Sequence, residues 1–172
     1  MTFADVSAEL ERAIALGYER RDRNDMAPTI AYFENLLAEN PGLPVLIYEV
    51  AGAYDTAGEE LTAKSLYEEA LAAGLSGERL RMCLCQYGST LRWLGELDRS
   101  LEVLEDARIR FPESDAVRIF LALTLNELGR ADEAVGVLLG TITAHADSTD
   151  LGRYATGLSS LADWYAQGRP GS

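Results

Sequence analysis

The sequence predicts an all-α protein made of repeated helix pairs. Apolar residues recur at three- and four-residue intervals through most of the chain, as they do on the buried face of an amphipathic helix. Glycines and prolines interrupt this pattern at nearly constant distances, and no stretch shows the alternation expected of strands. The clearest pair covers residues 84–112, where Gly95 separates two amphipathic segments and Pro112 ends the second.

Composition limits the classes of function. The chain has 172 residues, of which 48% are hydrophobic, enough for a continuous core and too many for a mostly disordered protein. Its net charge of −13 repels phosphate backbones, so we expect no nucleic-acid partner; the charge favours basic or amphipathic partners, or serves solubility alone. No apolar run approaches the ~18 residues of a membrane span, and the first residues lack a secretory signal. We therefore expect a cytoplasmic protein without membrane association, and the preference for Arg over Lys predicts a bacterial source.

Capping residues and breakers predict where each helix starts and stops. The expected first-turn or capping positions are Thr2 with Asp5, Pro28, Pro44, Ser76, Asp98, Ser114 and residues 147–150. The expected ends are the polar run 19–25, the breaker 40–42, Gly58, the loop 74–77, Gly95, Pro112 and Gly129. Residues 168–172 are expected to form a disordered tail.

The spacing of these breakers indicates an internal repeat. Gly58, Gly95 and Gly129 lie 37 and 34 residues apart. A three-residue insertion in the loop 74–77 accounts for the longer interval. A fixed period of this length is the sequence signature of an array of supersecondary units.

The 34-residue helix–turn–helix unit resembles the tetratricopeptide repeat (TPR). The third unit carries the resemblance most completely, through Leu84, Tyr87, Gly88, Leu91, Ser100, Leu104, Ala107 and Pro112. Arg20 and Arg118 depart from the family pattern. The segments LRWLGELDRSLEVLEDA and FLALTLNELGRADEAVGVLL are also similar to the bacterial tetratrico peptide repeat group 5 type.

The resemblance implies one solenoid domain over residues 1–167, a right-handed α-α superhelix. Its four helix–turn–helix units would cover about 10–43, 44–77, 81–114 and 115–148, and a helix over about 149–167 would cap the C-terminal end. Small residues should let the two helices of a unit approach closely; these are Ala51, Ala63, Gly88, Ala122 and Ala134. The family consists mainly of protein-binding scaffolds and brings no catalytic residues, so we expect no enzyme and no cofactor.

In this family the first helix of each unit lines a concave groove. The polar and aromatic residues at those positions form the candidate peptide-binding site: Tyr18, Arg21, Tyr48, Asp55, Gln86, Ser89, Arg92 and Asn126. Apolar or small neighbours on the same faces are Ile14, Gly52, Met82, Cys85, Ile119 and Leu123. Aromatic and Arg anchors suit an extended or helical peptide. The alternative is that the apolar members simply pack against the protein's own C-terminal helix folded into the groove. The chain would then be a self-assembling structural homodimer, paired through the solenoid ends or through that helix.

Other residue types add mostly negative expectations. The Lys/Asn clamp that some members use for a peptide carboxylate is absent, since its positions hold Ile14, Tyr18, Glu49, Met82 and Gln86. Cys83 and Cys85 point in different directions on one helix and cannot bridge each other, so they should be reduced. The one histidine, His145, is distant in sequence, so a zinc site lacks ligands. Trp93 and Trp164 are expected to pack. Nothing in the spacing of the 28 acidic residues selects a catalytic carboxylate pair.

Overall fold

The computed structural model describes residues 6–145 and 149–167, and over these residues the chain forms nine α-helices with no named strand. The all-α prediction is therefore confirmed over the described part of the chain. The helices are Ala8–Glu19 (α1), Ala27–Glu39 (α2), Pro44–Thr56 (α3), Glu60–Ala72 (α4), Gly77–Trp93 (α5), Leu97–Arg110 (α6), Asp115–Glu127 (α7), Ala131–Ala144 (α8) and Thr149–Ala166 (α9).

The first helix starts later than its sequence pattern predicts. Thr2 and Asp5 lie outside the described residues, and α1 begins at Ala8. Ser7 is its N-cap, and the Ser7 hydroxyl accepts a hydrogen bond from the Leu10 N–H at 3.2 Å. That bond satisfies one of the four free N–H groups of the first turn.

Most other predicted starts agree with the structure. Pro28 lies in the first turn of α2 and Pro44 opens α3. Ser114 caps α7, where its hydroxyl accepts from a backbone N–H at 3.3 Å. The prediction for Asp98 is wrong, because Glu96 occupies the N-cap of α6 and Asp98 lies inside the first turn. Its negative charge there still interacts favourably with the positive end of the helix dipole. Residues 147–148 and the tail 168–172 lie outside the described residues.

The three turn glycines end their helices in the same way. Gly58, Gly95 and Gly129 have φ values of 79°, 75° and 76°, a left-handed conformation that strains other residues. Each glycine N–H donates to the carbonyl three residues earlier at 3.0–3.1 Å. The next N–H donates to the carbonyl five residues earlier at 2.9–3.0 Å, which completes a Schellman cap. The predicted repeat of turns is thus one backbone motif used three times.

The described residues up to Cys83 form one compact unit, in which α1–α4 pack around a continuous core. The buried members of this core are Ile14, Met26, Phe33, Leu46, Val50 and Ala53. Gly17 lets α1 approach α2, since a Cβ there would lie 2.6 Å from Phe33 Cζ. The unit also contains the first residues of α5.

The described residues from Leu84 onward form a second compact unit, so the boundary falls inside α5. Its core contains Leu104, Leu121, Ala122, Leu125 and Ala134. As predicted, Gly88 permits close packing of α5 on α6, because a Cβ there would lie 2.6 Å from Leu104 Cγ. Helix α9 packs on α8, as expected of a terminal cap. The hand of the superhelix and the single-domain organisation stay predictions.

Candidate functional site

The first unit contains a cavity of about 670 Å³ between the first helices of its repeats. Its walls come from α1, α3 and the N-terminal turns of α5, with the loops that precede α3 and α5. Apolar side chains that line it are Val6, Ile14, Leu43, Val45, Leu75 and Met82. Polar residues that line it are Glu11, Tyr18, Glu49, Glu78 and Arg79. A mostly apolar wall with a few convergent polar groups is the usual composition of a ligand site.

Glu49 is the buried centre of the polar part of the cavity. Its residue is 2% exposed, and it lies in a run of α3, Leu46–Ala51, whose six residues are all buried. The Tyr18 hydroxyl, which reaches across from α1, donates a hydrogen bond to Glu49 Oε2. Burial of a carboxylate is tolerated only where such partners compensate for lost hydration.

Arg79 joins two carboxylates from different helices. Its Nε donates to Glu49 Oε1 at 3.3 Å. Its two terminal nitrogens donate to the two oxygens of Glu11 at 2.8 and 2.6 Å, in the bidentate geometry that the planar guanidinium favours. The result is a continuous network in which α1, α3 and α5 are linked through Glu11, Arg79, Glu49 and Tyr18.

The network shifts the pKa values of its members in opposite directions. The hydrogen bond from Arg79 lowers the pKa of Glu11, and the same bond raises the pKa of Arg79. Burial raises the pKa of Glu49, against the opposing effects of Tyr18 and Arg79. Burial, followed by the charge of Glu49, raises the pKa of Tyr18, which keeps its hydroxyl a donor.

The predicted site residues of the first unit are partly brought together. Tyr18 is 41% exposed and lies at the cavity, and the Arg21 guanidinium lies 5.3 Å from the centre of its ring. Asp55 is half-buried and accepts from the Tyr67 hydroxyl at 3.2 Å. Tyr48 is only 2% exposed, and its ring lies 6.3 Å from that of Tyr67. The expectation that Tyr48 presents a surface to a ligand therefore gives way to a packing role.

The second unit holds the other predicted residues, Gln86, Ser89, Arg92 and Asn126. The Arg92 guanidinium donates to Glu127 on α7 and lies 5.2 Å from the centre of the Trp93 ring. Among the buried side-chain atoms of the described residues, Gln86 Oε1 and Arg92 Nε have no hydrogen-bond partner. Ser89 is half-buried and Asn126 is exposed.

The expectation that Trp93 packs is wrong. Its side chain does not pack in the core but is 71% exposed at the end of α5. On α7, Ile119 and Leu123 are 44% and 43% exposed, one helical turn apart. These residues leave an apolar strip on the predicted groove side of α7.

No local sequence pattern predicts the pairing of Glu11 with Arg79. The two residues are 68 positions apart and no short motif connects them. Glu49 carried a weak signal, because a single carboxylate in the apolar run PVLIYEVA suggests a buried and partnered group. Helix α3 has no open face over Leu46–Ala51, which is why periodicity misplaced Tyr48.

Other chemistries find little support in the described part of the chain. There, no group of three or more His, Cys, Asp or Glu residues is placed to hold a metal ion. Cys83 and Cys85 are both buried, and no disulfide joins them. His145 lies 2.6 Å from Asp115, and both side chains are substantially exposed. No described helix combines the length and apolar character needed to cross a bilayer.

Comparison with known proteins connects the chain to a repeat family. A family model described as "Tetratrico peptide repeat" matches residues 44–163, which run from the start of α3 to near the end of α9. No curated protein matches the chain. Helices α1 and α2 lie before the matched residues, and α1 contributes Glu11 and Tyr18 to the cavity of the first unit.

Proposed function

Since the chain belongs to the tetratrico peptide repeat family, we propose that it is a non-enzymatic scaffold that binds a peptide or protein segment on the first helices of its repeats. Proteins of this family generally mediate protein–protein interactions. The proposal assigns that role to the groove face and to one site within the first unit. A bacterial source and a cytoplasmic location stay predictions from composition.

The observation that carries the proposal is the cavity formed by α1, α3 and α5. Its volume of about 670 Å³ is within the range of sites that bury a drug-sized group, and it exceeds what one amino-acid side chain needs. Its polar groups are held by one another rather than by solvent, so they are already oriented before a ligand arrives. Preorganisation of this kind lowers the entropic cost of binding.

Tyr18 and Arg21 are the anchors that the first unit offers at the rim. A half-exposed Tyr ring presents a large apolar face with little conformational entropy to lose, and Arg21 already stacks on one side of it. In the second unit, the proposal includes Gln86, Ser89, Arg92 and Asn126. There the exposed Asn126 amide and the half-buried Ser89 hydroxyl offer donors and acceptors that a peptide backbone can complement.

A blocked cavity tests the function directly. Ala15 on α1 lines the cavity and is exposed, so Ala15→Trp would fill the space without disturbing the core. Ala8 is exposed on the same helix outside the cavity, and Ala8→Trp is the matched control. Peptides selected from a random displayed library on the wild type should bind Ala8→Trp equally and Ala15→Trp at least tenfold more weakly. Equal binding to all three proteins would contradict the cavity as the site.

A second candidate function is a structural homodimer. It is favoured by three exposed apolar side chains on α9, namely Leu151, Tyr154 and Leu161, which are 37%, 58% and 46% exposed. Helix α9 already packs on α8, so these side chains would meet a second copy rather than the groove. Light scattering after size exclusion decides this, with Leu161→Glu as the disrupting variant. A monomer mass at high concentration would exclude the dimer.

A further inference from the structure

The cavity of the first unit carries an excess of negative charge. Three carboxylates line it, from Glu11, Glu49 and Glu78, and the cationic residue that lines it is Arg79. Arg79 is shared between two of them, and Glu78 pairs instead with Arg81, three residues on along α5. The guanidinium therefore balances one carboxylate of the pair that it contacts, and negative charge remains at the polar end.

The carboxylates also retain unused hydrogen-bonding capacity. Each carboxylate oxygen offers two acceptor positions, and each oxygen of Glu11 receives one bond from Arg79. The Glu11 side chain is 44% exposed, so a ligand can reach its remaining acceptor positions. An additional donor can bind there without removing Arg79 from its partners.

The apolar wall next to this polar end defines the shape of a complementary group. Leu43, Val45 and Met82 are half-buried and line the same cavity as Glu11 and Glu49. A ligand group with an aliphatic stem and a charged head fits both parts, because its methylene groups contact the wall while its head reaches the carboxylates. Arg and Lys side chains have this construction.

We propose that the cavity recognises a basic side chain, Arg or Lys, of the bound peptide. This inference rests on the proposed function and specifies its ligand. The protein's net charge of −13 acts in the same direction, since it attracts basic segments over long range and repels acidic ones. A peptide with an acidic residue at this position would bring like charges together.

The test uses the displayed random peptide library on the full chain, with the Ala15→Trp protein as counter-selection. Peptides whose binding depends on the cavity should be enriched in Arg or Lys at one position. Replacement of that residue by norleucine, which keeps an unbranched stem and removes the charge, should weaken binding. Cavity-dependent peptides without basic enrichment, or with acidic enrichment, would overturn the inference and leave the proposed function standing. If no peptide distinguishes the wild type from Ala15→Trp, the cavity is not the binding site that the proposed function assigns, and this inference fails with it.

Two matched variants on α1, each of which removes one negative charge, provide a second experiment. Glu11→Gln removes a cavity carboxylate and leaves Arg79 less neutralised, and both changes oppose a cationic ligand. Glu9 is exposed on the same helix and does not line the cavity, so Glu9→Gln changes the net charge equally. We expect roughly three- to fivefold weaker binding of the basic peptide to Glu11→Gln than to Glu9→Gln. Equal affinities would refute direct recognition by the cavity carboxylates.

Discussion

Ser100 on α6 and Thr124 on α7 bring their hydroxyl oxygens to within 2.9 Å in the core of the second unit. Both residues are 0% exposed. The Ser100 hydroxyl is also 2.7 Å from the Gly88 carbonyl, to which it donates. The Ser100 hydroxyl thus links α5, α6 and α7.

This pair should behave as one energetic unit. Ser100→Ala and Thr124→Val should each lower the free energy of unfolding by about 0.5–1.5 kcal/mol, because each removes a buried hydrogen bond. The double variant should lose less than the sum of the two, by about 0.5–1 kcal/mol, since the shared bond is lost only once. Urea unfolding followed by circular dichroism measures all four proteins. A cycle of Ser100→Ala with Thr141→Val, whose hydroxyl bonds to the Val137 carbonyl, is the control and should be additive.

Gly88→Ala should destabilise the second unit. The added methyl carbon would lie 2.6 Å from Leu104 Cγ and 2.8 Å from its Cδ2, and Leu104 is 0% exposed and cannot move outward. Overpacking of this kind costs about 1–3 kcal/mol. Gly52→Ala is the control, because nothing lies within 4 Å of a Cβ at that position in α3, so it should be neutral or stabilise by up to about 1 kcal/mol. Similar unfolding midpoints for the two variants would contradict the close α5–α6 contact.

Tyr18→Phe should lower the free energy of unfolding of the first unit by about 1–3 kcal/mol, since it removes the hydroxyl that donates to the buried Glu49 carboxylate. The ring itself and its contact with Arg21 are retained. Tyr154→Phe on α9, where the residue is 58% exposed, is the matched control and should have little effect. Equal loss of unfolding free energy in both variants would show that the Tyr18 hydroxyl does not stabilise Glu49.

The fold was largely predictable because its determinants are local. A Schellman turn needs a glycine at one position, so Gly58, Gly95 and Gly129 mark the helix ends directly in the sequence. The close contact at Gly88 follows from the same repeat pattern. The N-terminus of α6 was missed, since Asp98 is a good capping residue type but the chain places Glu96 at the cap.

The candidate site was less predictable because it depends on contacts between distant segments. Periodicity assigns Tyr18 and Tyr48 to equivalent faces, yet one is 41% exposed and the other 2%. The difference comes from their helices: α3 is buried all round between Leu46 and Ala51, whereas α1 keeps an open side. Arg79, which completes the network, has no local pattern that points to Glu11.

The stability of the first unit should depend on pH through Glu49. Its pKa in the folded protein is raised by burial, so the folded state holds this proton at a pH where the unfolded chain has released it. The wild type should therefore lose unfolding free energy relative to Glu49→Gln as the pH rises from about 4.3 through the raised pKa. Urea unfolding at a series of pH values gives the slope of this difference, which is independent of any constant offset from the substitution.

Glu11 supplies a control, because the pH dependence of its contribution to stability should have the opposite sign. Its pKa is lowered by the hydrogen bond from Arg79, so its contribution is present above its ordinary pKa and is lost as the pH falls. As the pH falls, the wild type should lose its advantage in free energy of unfolding over Glu11→Gln. Relative to Glu49→Gln, the wild type should instead gain free energy of unfolding. Slopes of the same sign for both carboxylates would contradict the arrangement of the network.

Gly136→Ala should loosen α9 from α8. A Cβ at Gly136 would overlap the Ala166 backbone nitrogen and lie 2.8 Å from the Ala162 carbonyl oxygen. Backbone atoms of a helix cannot rotate away as a side chain does, so the whole of α9 must shift. Gly140→Ala on the same helix is the control, since its Cβ would meet Ala162 Cβ at an ordinary 4.0 Å. In Gly136→Ala, the free energy needed to open α9 should fall by about 1–3 kcal/mol, whereas in Gly140→Ala it should not change. Hydrogen exchange of the amides in residues 149–167 should therefore accelerate about tenfold or more in Gly136→Ala and stay near the wild-type rate in Gly140→Ala. Unchanged protection in both variants would mean that α9 does not dock on α8 through these glycines.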